Sequence, residues 1–408
     1  MAIIGDFFGE HMLSANNISK IALIMAMGLP ALAQTQTPRI TGLAQIWYTQ
    51  MTDNNLRHNT TYKHFPLLDA FKENGLYFKR VDIKLTGSLG DLDYEVMIDP
   101  TLNNNVLQDA TIKYKLPYNI EVRLGQFKPF QTFETLTSSS EIIFAERAMM
   151  VREFGDPRDR GVALSVGFGG PETFHGRFHV GVFNGAGKSN ETNAQNDIAA
   201  RLEMYYGKPH AFGAYALQGS TNLADKGALV PLTFPGSGNE YPQPQSILDN
   251  KDKINNFGAY YRFQNDKFHA AVEVITGVLG RRRASLGTAS GPAGREHLDQ
   301  SYLGYVGTIA YTFGKHTLAA RYDTLDYNAG SDWYGANPYL NNSSDFTPKY
   351  DEITLGYTYS LMPERFKSAN IKVNYIMRSK NFLFPDVSRG QVGAQGGDTL
   401  VVAFQAGF

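Results

Sequence analysis

Apolar and polar residues alternate one for one along most of this chain, in segments of about ten residues separated by turn-rich stretches. In VDIKLTGSL, Val81, Ile83, Leu85 and Leu89 share one face with Gly87, while Asp82, Lys84, Thr86 and Ser88 share the other. In LDYEVMID, Leu92, Tyr94, Val96 and Ile98 oppose Asp93, Glu95 and Asp99. A period of two belongs to a β-strand, whose successive side chains point to opposite faces. The same test along the chain predicts sixteen strands, at 39–51, 76–89, 92–99, 106–116, 119–127, 160–168, 173–184, 197–206, 211–220, 254–263, 267–279, 301–313, 316–327, 351–360, 369–378 and 398–408.

The connections between these segments alternate in length. Thr52 to Gly75 is long and Gly90-Asp91 short; residues 128–159 are long and GPET short; residues 280–300 are long and Gly314-Lys315 short. Long loops on one side and tight turns on the other describe a transmembrane barrel, and a soluble sandwich has no reason to keep that order. Within lipid every backbone polar group must be bonded inside the protein, so a spanning sheet has to close on itself. The final segment, DTLVVAFQAGF, places Asp398, Leu400, Val402, Phe404, Ala406 and Phe408 on one face, with Thr399, Val401, Ala403, Gln405 and Gly407 on the other. Closure predicts that it pairs with the first strand near Ile40 to Tyr48, with Phe408 ending the lipid-facing row. The expected fold is therefore an all-β, transmembrane antiparallel β-barrel of about sixteen strands.

Composition supports this reading. With 23 Tyr, 26 Phe and 40 Gly, the chain favours strands, tight turns and aromatic girdles. Near the start, Lys20 precedes the apolar run Ile21 to Ala33, too short to span a bilayer and closing on Ala31-Leu32-Ala33. We read residues 1–33 as a secretory signal peptide cleaved before Gln34, with the barrel over 34–408; the long, acidic stretch before Lys20 leaves Met1 or Met12 as the start. Without residues 1–33 the chain loses Lys20, Asp6 and Glu10 from its 38 basic and 39 acidic residues, leaving 37 of each. A balanced net charge gives no reason to expect a nucleic-acid partner. The absence of cysteine excludes disulfides, thiol chemistry and cysteine metal sites.

Five stretches carry a more specific resemblance. FKRVDIKLTGSLGDLDYEVMID (Phe78 to Asp99), LQDATIKYKL (Leu107 to Leu116), VRLGQFKPF, LTSSSEIIFAERAM and DRGVALSVG, in that order, resemble the phosphate-selective porin O and P family, over about residues 76–168. The resemblance implies a sixteen-stranded, trimeric channel in the bacterial outer membrane, with a third long loop folded into the barrel and basic residues favouring anions. Here that loop is 128–159. By position, Lys128 and Arg147 fall at the constriction, with Glu141 and Glu146 beside them and Arg152, Arg158 and Arg160 at the loop's return. A terminal Phe such as Phe408 also resembles the assembly signal of bacterial outer-membrane proteins.

Strand parity puts Arg80, Lys84, Lys113, Lys115, Arg123, Arg177, Arg201, Arg262, Arg321, Lys372 and Arg378 on the inner face. About as many acids share it, and no strand has two inward arginines two positions apart, unlike the arginine ladder of phosphate-specific members. A mixed lumen of this kind suits a general or weakly anion-preferring pore for small polar or anionic solutes, phosphate among them. Glu146 and Arg147 admit a second reading, as a structural pair pinning the loop to the wall. Arg281, Arg282 and Arg283 fall in the sixth long loop, as an anion collector, a lipopolysaccharide contact or a solvated charge run.

Other chemistry finds little support. His175 and His179 stand four apart, which on a strand is about 13 Å and too far for one metal. NGAGKSN lacks the first glycine of a phosphate loop, and no G-x-S-x-G or evident Ser/His/Asp set appears. Asp93 and Glu95 share a face among wall charges, so lumen lining is the simpler role. No cofactor, metal or catalytic residue is expected. Two other classes compete with a channel: an outer-membrane barrel enzyme of lipase or protease type, which needs a converging nucleophile and base, and a plugged structural or adhesion barrel.

Overall fold

The structure is a computed structural model that describes residues 37–52, 75–102, 106–155, 158–170, 173–185, 187–188, 196–220, 253–283, 297–326, 329–330, 349–362, 369–378, 382–386, 391–395 and 398–408. The segment read as a signal peptide lies outside the described residues. Strands β1 (Arg39–Met51), β2 (Gly75–Leu89), β3 (Leu92–Ile98), β4 (Leu107–Leu116) and β5 (Ile120–Phe127) lead to two short helices, α1 (Phe133–Leu136) and α2 (Met149–Gly155). Then follow β6 (Asp159–Gly169), β7 (Phe174–Phe183), β8 (Asp197–Tyr206), β9 (His210–Ser220), β10 (Lys253–Gln264) and β11 (Phe268–Arg283). The chain continues through β12 (His297–Phe313), β13 (His316–Asp326), β14 (Lys349–Ser360), β15 (Ala369–Arg378), β16 (Phe382–Asp386), β17 (Gln391–Gln395) and β18 (Thr399–Gly407).

Sixteen of these strands form one closed antiparallel barrel, each paired with its neighbour in sequence, and β18 closes the ring against β1. β16 and β17 pair only with each other, as a hairpin between β15 and β18. The closing seam runs from Leu43 opposite Gly407 to Met51 opposite Thr399. Past it, Gly42 and Phe408 exchange backbone hydrogen bonds of 2.8 and 3.1 Å. A side chain at Gly42 would collide with the Phe408 ring, so the glycine is what lets the last aromatic lie flat against β1.

Every barrel strand lies within two residues of its sequence-predicted bounds except at the β11–β12 end. There the ladder shifts after Leu279 and resumes with Arg282 opposite Leu298, so the backbone of Arg281 to Arg283 continues a strand rather than belonging to a loop. The two faces differ sharply. Outward residues such as Ile83, Leu85, Ile112, Phe178, Ile309 and Leu355 are exposed and form the lipid-facing band, while inward Thr399, Val401, Ala403 and Gln405 are buried. At the short-turn end the outer face carries aromatic contacts: Phe168 with Phe174, Phe174 with Phe212, Phe263 with Phe268, and Phe313 with His316. This is the girdle expected at a membrane interface.

Besides the shift between β11 and β12, two bulges break the alternation among the described strands. Gln45 pairs with Arg80 but Ile46 with Phe78, which leaves Lys79 unpaired; Met97 pairs with Asp109 but Ile98 with Leu107, which leaves Gln108 unpaired. An extra residue lets two neighbours point to the same side. Gln108 and Asp109 are both buried, and Lys79 turns inward beside Arg80 while Phe78 stays exposed.

Candidate functional site

The segment from Lys128 to Arg158 joins β5 to β6 and is anchored on opposite walls of the barrel. It leaves β5 on an apolar cluster in which Phe127 and Phe130 pack with Phe183, Ala163, Ala199 and Leu217. Gln131 donates to the Ala216 carbonyl of β9 at 3.1 Å, Arg201 of β8 donates to the Thr132 carbonyl at 3.1 Å, and the Phe133 amide donates to Glu273 of β11 at 2.5 Å. The Phe133 ring stacks on Tyr260 of β10, with centroids 4.7 Å apart.

Its middle reaches the closing seam. Arg80 donates to the Ser139 hydroxyl at 2.5 Å, and Gln405 donates to the Ser140 carbonyl at 3.0 Å. The return crosses β15 and β13. Lys372 donates to the carbonyls of Ile142 and Phe144 at 2.6 and 3.2 Å, and the Ala145 amide donates to Asn374 at 2.7 Å. Ala145 also packs with Trp47, Ile376, Val401 and Ala403. Arg321 donates to the Glu146 carbonyl at 2.8 Å, and the Met149 amide, at the start of α2, donates to Asp323. Phe154 of α2 stacks on Tyr302 at 4.3 Å, and Arg158 pairs with Asp109 at 3.0 Å before the chain enters β6.

An open space lies along β1 to β5. One cavity of about 740 Å³ is walled by seven basic side chains, Arg39, Arg80, Lys84, Arg123, Lys128, Arg147 and Arg158, and by three acids, Asp82, Glu95 and Asp109. A second, of about 630 Å³, shares Arg39, Glu95 and Arg123 with the first and continues toward the short-turn end, adding Lys113, Lys115 and Asp93. Together the two hold nine bases against four acids. On the β11–β12 side a small space of about 60 Å³ is lined instead by Glu134, Glu141, Glu273 and His269.

The candidate residues thus separate into groups. Lys128 is half-buried at the wall of the larger cavity, with its ammonium 3.4 Å from the Thr135 carbonyl. Arg147 is buried but reaches the same wall, donating to the carbonyls of Glu134 and Thr137 at 3.1 and 2.8 Å and to the Ser139 hydroxyl at 3.3 Å. These three acceptors are neutral. Glu146 lines neither large cavity: its carboxylate meets Lys79 at 2.7 Å. Burial alone would push that carboxyl up, but the Lys79 ammonium, with the Arg152 and Arg80 guanidiniums, outweighs it and holds the value at about 2. Glu141 is exposed and turns toward the small acidic space.

Arg80, Lys84, Lys113, Lys115 and Arg123 all line the open cavities. Lys84 pairs with Glu95 at 3.0 Å and Lys115 with Asp93 at 2.8 Å, while Arg123 lies over the Phe127 ring at 4.5 Å. Arg177, off both cavities, pairs with Glu121 at 3.6 Å. Arg201 and Arg321, expected to line the lumen, point inward but are buried. Arg201 meets Glu203 at 2.6 Å, Arg321 meets Glu352 at 3.2 Å, and both also bind the 128–158 backbone. The reason is physical: strand parity fixes the face of a residue but not what covers it.

Two features escaped the sequence. Lys79 is inward only because of the bulge opposite Gln45 and Ile46, which no alternation pattern can reveal. The Ser165 hydroxyl lies 2.7 Å from His179 Nδ1, and His179 Nε2 is 3.8 Å from Glu203, on neighbouring strands. The Phe130 ring lies 4.8 Å from the imidazole and Ser165 is buried, so a substrate has no approach to that hydroxyl.

Comparison with known proteins agrees with this geometry. The family described as phosphate-selective porin O and P matches residues 55–382. Among solved structures, the fold resembles OmpT, an outer-membrane protein of Vibrio cholerae in its trimer form, at 10% identity over 91% of this chain and 99% of that one, with a TM-score of 0.53. It also resembles Salmonella typhi OmpF in complex with daunomycin, at 12% identity over 92% and 100% of the two chains, with a TM-score of 0.53. The outer-membrane channel DcaP of Acinetobacter baumannii is similar at 13% identity over 92% and 100%, with a TM-score of 0.52. A sequence search of curated proteins finds no match. With a closed sixteen-strand barrel, an outward apolar band and a family match over most of its length, the chain belongs to the phosphate-selective porin O and P family and is an outer-membrane porin of a Gram-negative bacterium.

Proposed function

We propose that this porin is a non-enzymatic diffusion channel for small hydrophilic solutes, biased toward anions, with phosphate one cargo. The observation that carries the bias is the spatial sorting of charge: nine bases against four acids around the open space along β1 to β5. In this reading segment 128–158 folds into the lumen and confines transit to that side, with Lys128 and Arg147 at the narrowing and Arg80, Lys84, Lys113, Lys115 and Arg123 along the wall. A fixed charge beside a narrow, poorly screened passage acts on a passing ion far more strongly than in bulk water. The inaccessible Ser165 hydroxyl favours a channel over a barrel hydrolase. Assembly as a homotrimer extends to this chain what is described for the Vibrio cholerae neighbour.

The reading is tested by phosphate block. In planar bilayers, chloride current through the protein is expected to fall as phosphate is added, and Lys128→Glu is expected to relieve that block. Chloride current indifferent to phosphate in both proteins would leave an unselective pore, and absence of conductance would return the plugged barrel.

A further inference from the structure

We propose that the barrel's outer rim at the short-turn end holds two sites for the phosphodiester headgroup of an anionic phospholipid, one built by Lys208, His210 and Tyr261 and the other by Lys315, His316 and Tyr357. This does not depend on what the lumen conducts. In outer-membrane barrels the short turns face the periplasm, so the outward surface beside them lies at the headgroup level of the inner leaflet. His210 opens β9 after the turn Gly207 to Pro209, and His316 opens β13 after Gly314-Lys315. By alternation both belong to the outward face, His210 with Phe212 and His316 with the exposed Leu318. His210 lies opposite Phe263 and His316 opposite Tyr359. In each case the tyrosine two residues before that partner, Tyr261 or Tyr357, brings its hydroxyl 2.8 Å from the imidazole Nδ1. The two ring pairs repeat one geometry, with centroids 6.0 Å apart and interplanar angles of 32° and 31°.

A tyrosine hydroxyl that donates to Nδ1 leaves the imidazole proton on Nε2, and a protonated ring carries one there as well. Among the described residues nothing accepts from Nε2 of either histidine, so each ring offers a donor to the headgroup layer. Lys208 and Lys315 are exposed, two residues and one residue before the histidine, and neither has an acid partner among the described residues. On the turn after β10, Asp266 precedes Lys267, so the three turns together carry three lysines and one acid. An ammonium on a long stem reaches the phosphate level while its methylenes stay against apolar surface. The unesterified oxygens of a phosphodiester can accept from imidazole and ammonium together. Tyr206 and Phe263 lie 6.2 and 5.3 Å from the His210 ring, and Phe313 and Tyr359 lie 5.3 and 5.4 Å from the His316 ring, which gives the acyl chains aromatic surface beside each site. The clusters thus offer donors and positive charge, the complement of an anionic headgroup rather than of a second copy of the same surface.

The test is native mass spectrometry of the intact barrel, released from detergent with phosphatidylglycerol added in steps. Wild type is expected to retain two phosphatidylglycerol molecules per chain. His210→Phe or His316→Phe, each of which keeps an aromatic ring, is expected to lose one of them, with affinity at that site about tenfold weaker. Tyr261→Phe and Tyr357→Phe, which release Nδ1, are expected to weaken retention in the same direction. Equal retention by wild type and the His210→Phe/His316→Phe double variant would mean annular lipid only. Phosphatidylcholine held as firmly as phosphatidylglycerol would remove the part given to the lysines, and a changed number of chains per particle in the variants would make this surface a contact between copies. Each of these overturns the inference. If the double variant does not fold, Lys208→Gln combined with Lys315→Gln, both on exposed turns, answers the same question with the same readout.

Discussion

A guanidinium bonded to neutral carbonyls and one bonded to a carboxylate both stay protonated, but the field of the second is offset by its partner. Arg147 donates to two carbonyls and a hydroxyl at the cavity wall, and Arg321 is buried and paired with Glu352. The Glu146 carboxylate is held by an ammonium, that of Lys79. Its folded value of about 2 lies below its ordinary 4.5, so its pairing stabilises the fold fully above pH 4.5 and that contribution is lost as pH falls toward 2. Glu146→Gln should therefore melt lower than wild type at pH 7, by on the order of 3 kcal/mol for an ammonium left without its buried partner. The gap should close near pH 2, as followed by thermal melting of the folded barrel in detergent. A gap that persists unchanged at pH 2 would remove the ion pair as its cause. Parity in the sequence placed Arg80 and Lys84 on the correct face, but Lys79 was illegible because a bulge inserts one residue without any mark in composition.

At the scale of elements, segment 128–158 is held by backbone carbonyls and amides that find partners on the barrel wall rather than within helices, since α1 and α2 are only four and seven residues long. Lys372 is the clearest single anchor, serving two carbonyls from one buried ammonium. Lys372→Met should leave both acceptors unsatisfied, at about 1–3 kcal/mol for each bond lost. Single-channel records should then show more frequent current fluctuations, with the barrel still folded by its heat-modified gel mobility. Quiet, wild-type-like records would mean that the segment does not depend on this anchor. The sixteen strands were legible because lipid outside and polar groups inside impose a strict period of two. Where that constraint relaxes, the reading failed: the extensions of β11 and β12 and the β16–β17 hairpin lie in stretches taken for loops.

Across the whole molecule, the charge count and the charge arrangement say different things. By sequence the inner face carries nearly equal numbers of bases and acids, which suggested a mixed lumen. In three dimensions Glu273, Asp323 and Glu352 are buried, and the bases outnumber the acids around the open space along β1 to β5. No one-dimensional pattern could show this, because it depends on which strands face each other across the barrel and on what lies between them. Closure, by contrast, was readable from the last eleven residues, whose alternation requires a partner that β1 supplies. The most direct test of the charge sorting is the zero-current potential of the intact protein in a planar bilayer under a KCl gradient. We expect a potential whose sign corresponds to chloride crossing more readily than potassium, whereas a potential at zero or of the opposite sign would refute an anion-biased passage along β1 to β5.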